Sequence, residues 1–194
     1  MPGQLFDQYG KRKYLTTNER NAFIKAAESA PQDVYTFCSV LAFTGCRLSE
    51  ALELTVDRVD MTGRLIIFEC LKKRRKGIFR GVPVPPLLLD TLDAIHNIGH
   101  HQQQPSGGRH IHLWPMSRPT AWRQVKAVME KAGITCGPQA SPKGLRHGFG
   151  VSAVSAGIPL NMVQKWLGHA QLSTTAIYAA AVGEEEHLIA SRMW

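Results

Sequence analysis

Lys143, Arg146 and His147 stand three and four residues apart in a stretch, SPKGLRHGFG, that opens like a helix. Ser141 can cap it, and Pro142 fits the first position, where a missing N–H costs nothing. Those spacings put the three side chains on one face of the first turns. Cations gathered where the helix dipole is already positive work against stability, and they make chemical sense if an anion binds there. Earlier in the chain, Arg47 enters a helix whose Leu48, Ala51, Leu52 and Leu54 would pack inward. An arginine in such surroundings needs a partner, and Glu50 lies one turn on. Between these two stretches, LKKRRKG holds five cations, Lys72, Lys73, Arg74, Arg75 and Lys76. A solvated loop or a localisation signal would carry the same charges.

The balance of the whole chain points the same way. A net charge of +8 on 194 residues favours a polyanionic partner, nucleic acid before membrane. The length suits one well-formed core, and an apolar fraction of 44% is ordinary for a soluble globular protein. There is neither an apolar run of membrane-spanning length nor the apolar stretch of a signal peptide, so a cytoplasmic protein without membrane contact is expected. Cys38, Cys46, Cys70 and Cys136 show no CxxC spacing and read as reduced core thiols. His96, His100, His101, His110 and His112 match no metal-binding pattern, and no metal is expected.

Elements that could position these residues follow from the periodicity. Thr16-Thr17-Asn18-Glu19 fits a capping box ahead of a helix with Phe23, Ile24 and Ala27 on one face. A second helix from Pro31 is rich in apolar residues and ends at Gly45. Residues 64–70 and 78–85 read as paired strands around the cationic link, and Pro86 starts another helix. GHHQQQPSGGRHIH reads as a loop. Residues 117–132 form an amphipathic helix with Trp122, Val125, Val128 and Met129 expected inward. Arg118, Arg123 and Lys126 on it are candidate phosphate contacts, although a solvated face explains them equally. Leu160, Val163 and Leu167 mark a further helix closed by Gly168, and a short one from about Ser173 carries Tyr178. The fold class is mainly α with a small antiparallel β-sheet.

Leu167-Gly168-His169, followed nine residues on by Tyr178 at the end of STTAIY, resembles the C-terminal active-site segment of the tyrosine recombinases, the phage integrase family. Lys143-Gly144-Leu145-Arg146-His147 stands where that family usually has HxxRH. Thr44-Gly45-Cys46-Arg47-Leu48-Ser49-Glu50 matches its earlier TGxRxSE box. The resemblance covers roughly residues 14–182 and implies the tyrosine recombinase catalytic-domain fold over 16–182. Residues 1–15, with Lys11, Arg12 and Lys13, read as a basic arm, either a solvated tail or a segment touching DNA. Residues 183–194 read as a C-terminal segment that docks on its own domain or, as in relatives, on a neighbouring protomer.

The resemblance implies site-specific cutting and rejoining of double-stranded DNA through a covalent 3′-phosphotyrosyl intermediate, with no cofactor. It assigns Arg47 and Arg146 to the phosphate, Tyr178 to nucleophilic attack and His169 to a phosphate oxygen. Lys72, with Lys73 beside it, would protonate the leaving 5′ oxygen, and Glu50 would support Arg47. Lys143 replaces the usual histidine and suits a phosphate clamp better than a base. Arg74, Arg75, Lys76 and His147 join the candidate DNA contacts. Gly144 stands where relatives commonly carry aspartate. Strand exchange implies a tetramer on two DNA sites, weakly associated or monomeric without DNA. The length leaves no room for the N-terminal helical domain of most members, so a fragment or a short single-domain type like the fimbrial-switch recombinases is expected. The alternative function is a DNA-binding accessory protein that keeps the fold and has lost turnover.

Overall fold

The capping box forms at Thr16. Its side chain accepts from the Glu19 backbone N–H, and its own N–H donates to the Glu19 carboxylate at 2.9 Å. Helix α1 (Thr17–Ala27) follows, burying Phe23 and Ala27. Helix α2 (Gln32–Thr44) is buried along most of its length and stops at Gly45, where φ is +60°, a left-handed turn that favours glycine. Helix α3 (Leu48–Leu52) starts directly afterwards, with Arg47 as its N-cap. The structure, a computed structural model, describes residues 5–70, 77–180, 187 and 190–193. Lys72, Lys73, Arg74, Arg75, Lys76, Gly183, Leu188, Ile189 and Trp194 lie outside the described residues.

Strands β1 (Val59–Asp60), β2 (Leu65–Glu69) and β3 (Phe79–Pro83) form one antiparallel sheet in that order. Ile66 pairs with Val82 and Phe68 with Arg80, and all four side chains are buried. β1, too short to show a period, is not signalled in the sequence. Helix α4 (Pro86–His96) begins at its proline as expected. The polar stretch after it is not all loop: α5 (Ile98–Gln102) occupies its start, anchored by the buried Ile98.

Helix α6 (Arg118–Lys131) buries Ala121, Val125, Val128 and Met129. That stripe follows the i, i+4, i+7 pattern from Ala121, which turns Trp122 away from the core, so the expectation of an inward Trp122 fails and its ring is 47% exposed. Helix α7 (Pro142–Ser155), α8 (Leu160–Leu167) and α9 (Ser173–Ala176) complete the described helices, with Leu160 only partly buried. Tyr178 is not in α9 but in the 3-10 turn after it (Ile177–Ala180).

Two clusters make the interior. The larger joins α1, α2, α3, α4, α6 and the sheet, and includes Leu145 of α7. In it, Trp114 meets the Phe37 ring edge-on at 5.1 Å, and its indole N–H donates to Thr36 Oγ1 at 3.1 Å. The smaller gathers Leu5, Tyr14, Val151, Val163, Leu167 and Tyr178. Helix α7 therefore belongs to both, and Arg146 and His147 sit on it between Leu145 and Val151.

The N-terminal chain is not a solvated tail from residue 5 onward. Leu5, Tyr14 and Leu15 are buried, Lys13 N–H donates to the Leu5 carbonyl at 2.7 Å, and Arg12 pairs with Glu19. Leu15 N–H donates to the Gly144 carbonyl at 3.1 Å, tying this chain to the start of α7. Three of the four free thiols are in the core as expected; Cys136 is exposed. Met193, in the C-terminal segment, is 80% exposed. Among the described residues no helix is long and apolar enough to cross a membrane.

Candidate active site

Glu50 is the buried anion around which the cationic side is assembled. Its carboxylate accepts from Arg47 twice, from the backbone N–H at 2.8 Å and from Nη1 at 2.7 Å. Its other charged partner is Arg80 Nη2, at 2.7 Å. Burial pushes the Glu50 carboxyl up, but the hydrogen bond and charge of Arg80, followed by Arg47, outweigh it and hold the pKa below the usual range. The expected Arg47–Glu50 pair is thus present, within a larger arrangement.

Arg80 has no counterpart among the residues singled out from the sequence. It lies in β3, buried, and its Nε donates to the Trp166 carbonyl at 2.6 Å. Nη1 reaches Cys70 Sγ at 3.5 Å, and the guanidinium lies over the Phe68 ring. Alternation was the available signal: Val82 and Val84 face inward, so Arg80, two residues before Val82, must face inward as well.

Arg146 enters from α7. Ser141 Oγ caps that helix by accepting from Gly144 N–H at 3.1 Å. Residue 144 has no room for a side chain in this backbone: a Cβ there would fall 1.9 Å from the Gln139 carbonyl oxygen. One turn on, Arg146 Nη1 donates to the Gly45 carbonyl at 2.7 Å and Nη2 to the Leu167 carbonyl at 2.6 Å. Both carbonyls lie at helix C-termini, the negative ends of α2 and α8. Burial first, then the charge of Arg47, brings the Arg146 pKa down to about 10, so it stays protonated at neutral pH.

Tyr178 faces this group from the 3-10 turn and is only 1% exposed. The ring lies flat against α7 because residue 150 is glycine; a Cβ there would come within 2.6 Å of the ring. His147 Nδ1 lies 3.1 Å from the Tyr178 hydroxyl. The His169 ring runs near-parallel to that of Tyr178, centroids 6.2 Å apart and planes 16° from parallel, with Nδ1 at 2.9 Å from Thr175 Oγ1. If Thr175 donates, the His169 proton sits on Nε2, leaving a neutral donor. Burial, then Arg146 and Arg47, pushes the His169 pKa down to about 3. Burial also pushes the Tyr178 phenol up, more than Arg146 and Arg47 pull it down.

The structure brings Arg47, Glu50, Arg146, His147, His169 and Tyr178 together. Lys143 is exposed at the start of α7, and its charge reaches His147. Arg118 and Arg123 are exposed on α6, Arg123 Nη2 donating to Thr120 Oγ1 at 3.4 Å. Lys126 is engaged differently: its ammonium donates to the Ala140 carbonyl at 2.8 Å and holds the loop that leads into α7. Cys46, beside these arginines, is pushed up to about 12 by burial and is no nucleophile at neutral pH. Among the described residues, no three His, Cys, Asp or Glu side chains are grouped to hold a metal ion.

Chemically, two guanidiniums (Arg47, Arg80) share one carboxylate and a third (Arg146) is bonded to carbonyl oxygens, so the site keeps an excess of positive charge beside a phenol and two neutral imidazoles. Such a site fits a phosphodiester and a tyrosine nucleophile.

The sequence profile described as the phage integrase family matches residues 13–185. Tyrosine recombinase XerD of Mycobacterium tuberculosis strain H37Rv is 33% identical over 145 residues, covering 72% of this chain and 45% of that protein. Tyrosine recombinase XerC of Lactobacillus delbrueckii subsp. bulgaricus is 31% identical over 139 residues, covering 70% of this chain and 46% of that protein. The chain thus spans about half the length of the curated relatives it matches. Among solved structures, XerA recombinase superposes with a TM-score of 0.76 at 25% identity, over 93% of this chain and 64% of that one. The catalytic domain of bacteriophage HP1 integrase gives 0.66 at 19% identity, over 93% of this chain and 90% of that one.

Proposed function

Because this chain belongs to the phage integrase family, we propose that it cuts and rejoins DNA at specific sites, with Tyr178 forming a covalent 3′-phosphotyrosyl link. The observation that carries the reading is the convergence of Arg47, Arg146, His169 and Tyr178 from four separate segments onto one pocket with surplus positive charge. The Tn1549 transposon integrase, solved in complex with transposon right end DNA and similar at a TM-score of 0.67 and 18% identity, supports a DNA partner, which we take to be double-stranded.

Each group has a role it is chemically fit for. The guanidiniums of Arg47 and Arg146 hold the non-bridging oxygens, using the N–H groups not given to Glu50, Gly45 and Leu167; a guanidinium has five. His169, neutral, donates to a phosphate oxygen as charge builds there. Lys72, or Lys73 beside it, protonates the departing 5′ oxygen. Lys143 adds charge at the α7 start, while Arg74, Arg75, Lys76, Arg118 and Arg123 bind flanking phosphates. Glu50, gripped by Arg80, fixes the angle of Arg47. The phosphoester energy stays in the tyrosyl link, so rejoining needs neither metal nor nucleotide. Because Tyr178 is closed off from solvent, a phosphate reaches it only after the covering side chains part. Exchange between two duplexes takes four protomers, and the natural setting is the cytoplasm, where DNA is accessible.

The test is covalent trapping. A duplex selected from a random library by binding to the 194-residue chain is nicked to make a suicide substrate, and wild type is compared with Tyr178→Phe. A protein–DNA adduct lost in the variant is the expected result. Site-specific binding with no adduct from either protein would sink this reading in favour of an accessory protein without turnover.

A further inference from the structure

We propose that His147 is the proton acceptor for Tyr178, taking the hydroxyl proton on Nδ1 as the tyrosine attacks. The proposal rests on the strand-cleavage reading and adds a catalytic residue to it. His147 Nδ1 and the Tyr178 hydroxyl are 3.1 Å apart, within the reach a general base needs. The two other candidates near the ring are unsuited. The His169 ring runs parallel to the tyrosine's at 6.2 Å between centroids, and its Nδ1 is committed to Thr175. Lys143 is exposed, and an ammonium has three donors and no lone pair.

The placement follows from the helix. Arg146 and His147 are consecutive in α7, so one side chain grips the phosphate while the next reaches the oxygen that attacks it. The Gly150 slot one turn on holds the ring against the same helix. Around His147 stand Lys143 and Arg146 on α7, Lys13 from the N-terminal chain, Tyr178 on the 3-10 turn, and His169 beyond it. Burial, then Lys143, Arg146 and Lys13, holds the imidazole at about 4, which keeps its acceptor nitrogen unprotonated at neutral pH. That same environment makes it a weak base until DNA arrives. A bound phosphodiester puts negative charge against Lys143 and Arg146, the cations that depress it, and so raises its basicity at the moment of use.

The step balances. The Tyr178 O–H bond breaks and its proton moves to His147 Nδ1. A lone pair of the phenol oxygen forms the O–P bond, and the P–O5′ bond breaks with its electron pair on the 5′ oxygen. That oxygen takes a proton from the acid assigned above to Lys72 or Lys73. In rejoining, the imidazolium returns its proton to the departing phenol oxygen.

The experiment is single-turnover adduct formation on the nicked duplex, with wild type, His147→Gln and His147→Ala. Expected is a loss of about a hundredfold or more in rate at saturating DNA, with added imidazole restoring the alanine variant. The defect should persist on a 5′-bridging phosphorothiolate, whose sulfur leaves without a proton. Cleavage by His147→Gln at the wild-type rate, or a defect that vanishes on the phosphorothiolate, would overturn the proposal and leave strand cleavage standing. Wild type that binds without forming an adduct overturns the cleavage reading and this one with it. Nitrogen-15 NMR of the unmodified protein needs no variant to turn over: Nδ1 of His147 should be an unprotonated acceptor, and a protonated Nδ1 refutes the assignment.

Discussion

Arg80 and Arg146 are buried almost equally, 6% and 7% exposed, yet they are compensated in opposite ways. Arg80 faces a carboxylate, and Glu50 raises its pKa above the ordinary value against the effect of burial. Among the described residues Arg146 donates to two carbonyl oxygens and bonds no carboxylate; burial, then Arg47, outweighs the more distant charge of Glu50, and its pKa falls to about 10. A buried cation with a counter-ion is a finished structural element. A buried cation held only by dipoles is a charge the fold maintains at a cost, and an incoming phosphate supplies the missing negative partner. The difference separates an arginine that builds the site from one that is kept for the substrate.

The largest expected effect comes from exchanging each for methionine. Arg80→Met leaves Glu50 buried with Arg47 alone and should cost about 3–5 kcal/mol, the usual penalty for breaking a buried pair. Arg146→Met removes a charge that has no counter-ion, so its stability loss should be well under half of that. Adduct formation should nonetheless fall by about two to three powers of ten, as when one pre-organised donor is removed. Denaturant unfolding and covalent trapping, run on both variants, read the two quantities separately. Equal stability losses would erase the distinction between the two arginines.

Next in size is Gly150→Ala, which disturbs the tyrosine beside Arg146 and leaves the Arg80–Glu50 pair untouched. The new methyl would come within 2.6 Å of the buried Tyr178 ring. Overpacking of this kind costs about 1–3 kcal/mol. Adduct formation should drop with Tyr178 displaced, whereas DNA affinity, set by the cations, should hold. Loss of binding along with cleavage would mean that the two halves of the pocket are not separable.

Much of this pocket could be read in the sequence because its pieces are local. Arg47 with Glu50, and Lys143 with Arg146 and His147, each fall within one helical turn, and caps at Thr16 and Ser141 fix where the turns begin. Arg80 could not be matched to its partner, since Glu50 lies 30 residues away on α3 and only the packing of that helix against the sheet brings them together. Alternation alone turns Arg80 inward, but an arginine that closely follows five consecutive cations carries no signal that distinguishes it from a solvated one. The burial of Tyr178 was illegible for a similar reason: it depends on Gly150, a gap in one helix that means something only once the turn carrying the ring lies against it. Trp122 was misplaced because an amphipathic stripe can be started at either of two adjacent residues, and Ala121 is the one that fits the core. The polar run after α4 hid α5, whose single apolar anchor, Ile98, gives no period.

At neutral pH the smallest difference is in how the two halves respond to acid, and lowering the pH enlarges it. The Glu50 half follows the usual carboxylate rule. Its folded pKa is depressed, so its contribution is complete above the unfolded value near 4.5 and is lost as the pH falls through the folded one. The tyrosine half behaves differently. His147 and His169 are held neutral in the folded protein, with pKa values of about 4 and about 3, whereas in the unfolded chain they titrate near 6.5. Between those values the unfolded state binds more protons than the folded one, so stability must fall as the pH drops below about 6.5. Acid sensitivity should therefore appear about two pH units before Glu50 is threatened, with uptake approaching two protons on unfolding. His147→Gln combined with His169→Gln should remove most of this first limb, leaving the share of His96, whose pKa burial also lowers, and leave the second in place. A limb that persists undiminished in the double variant would assign the early acid loss to groups outside the pocket. One that shrinks to that share would show that the same desolvation that keeps two imidazoles ready for a phosphate also sets the pH below which the empty site comes apart.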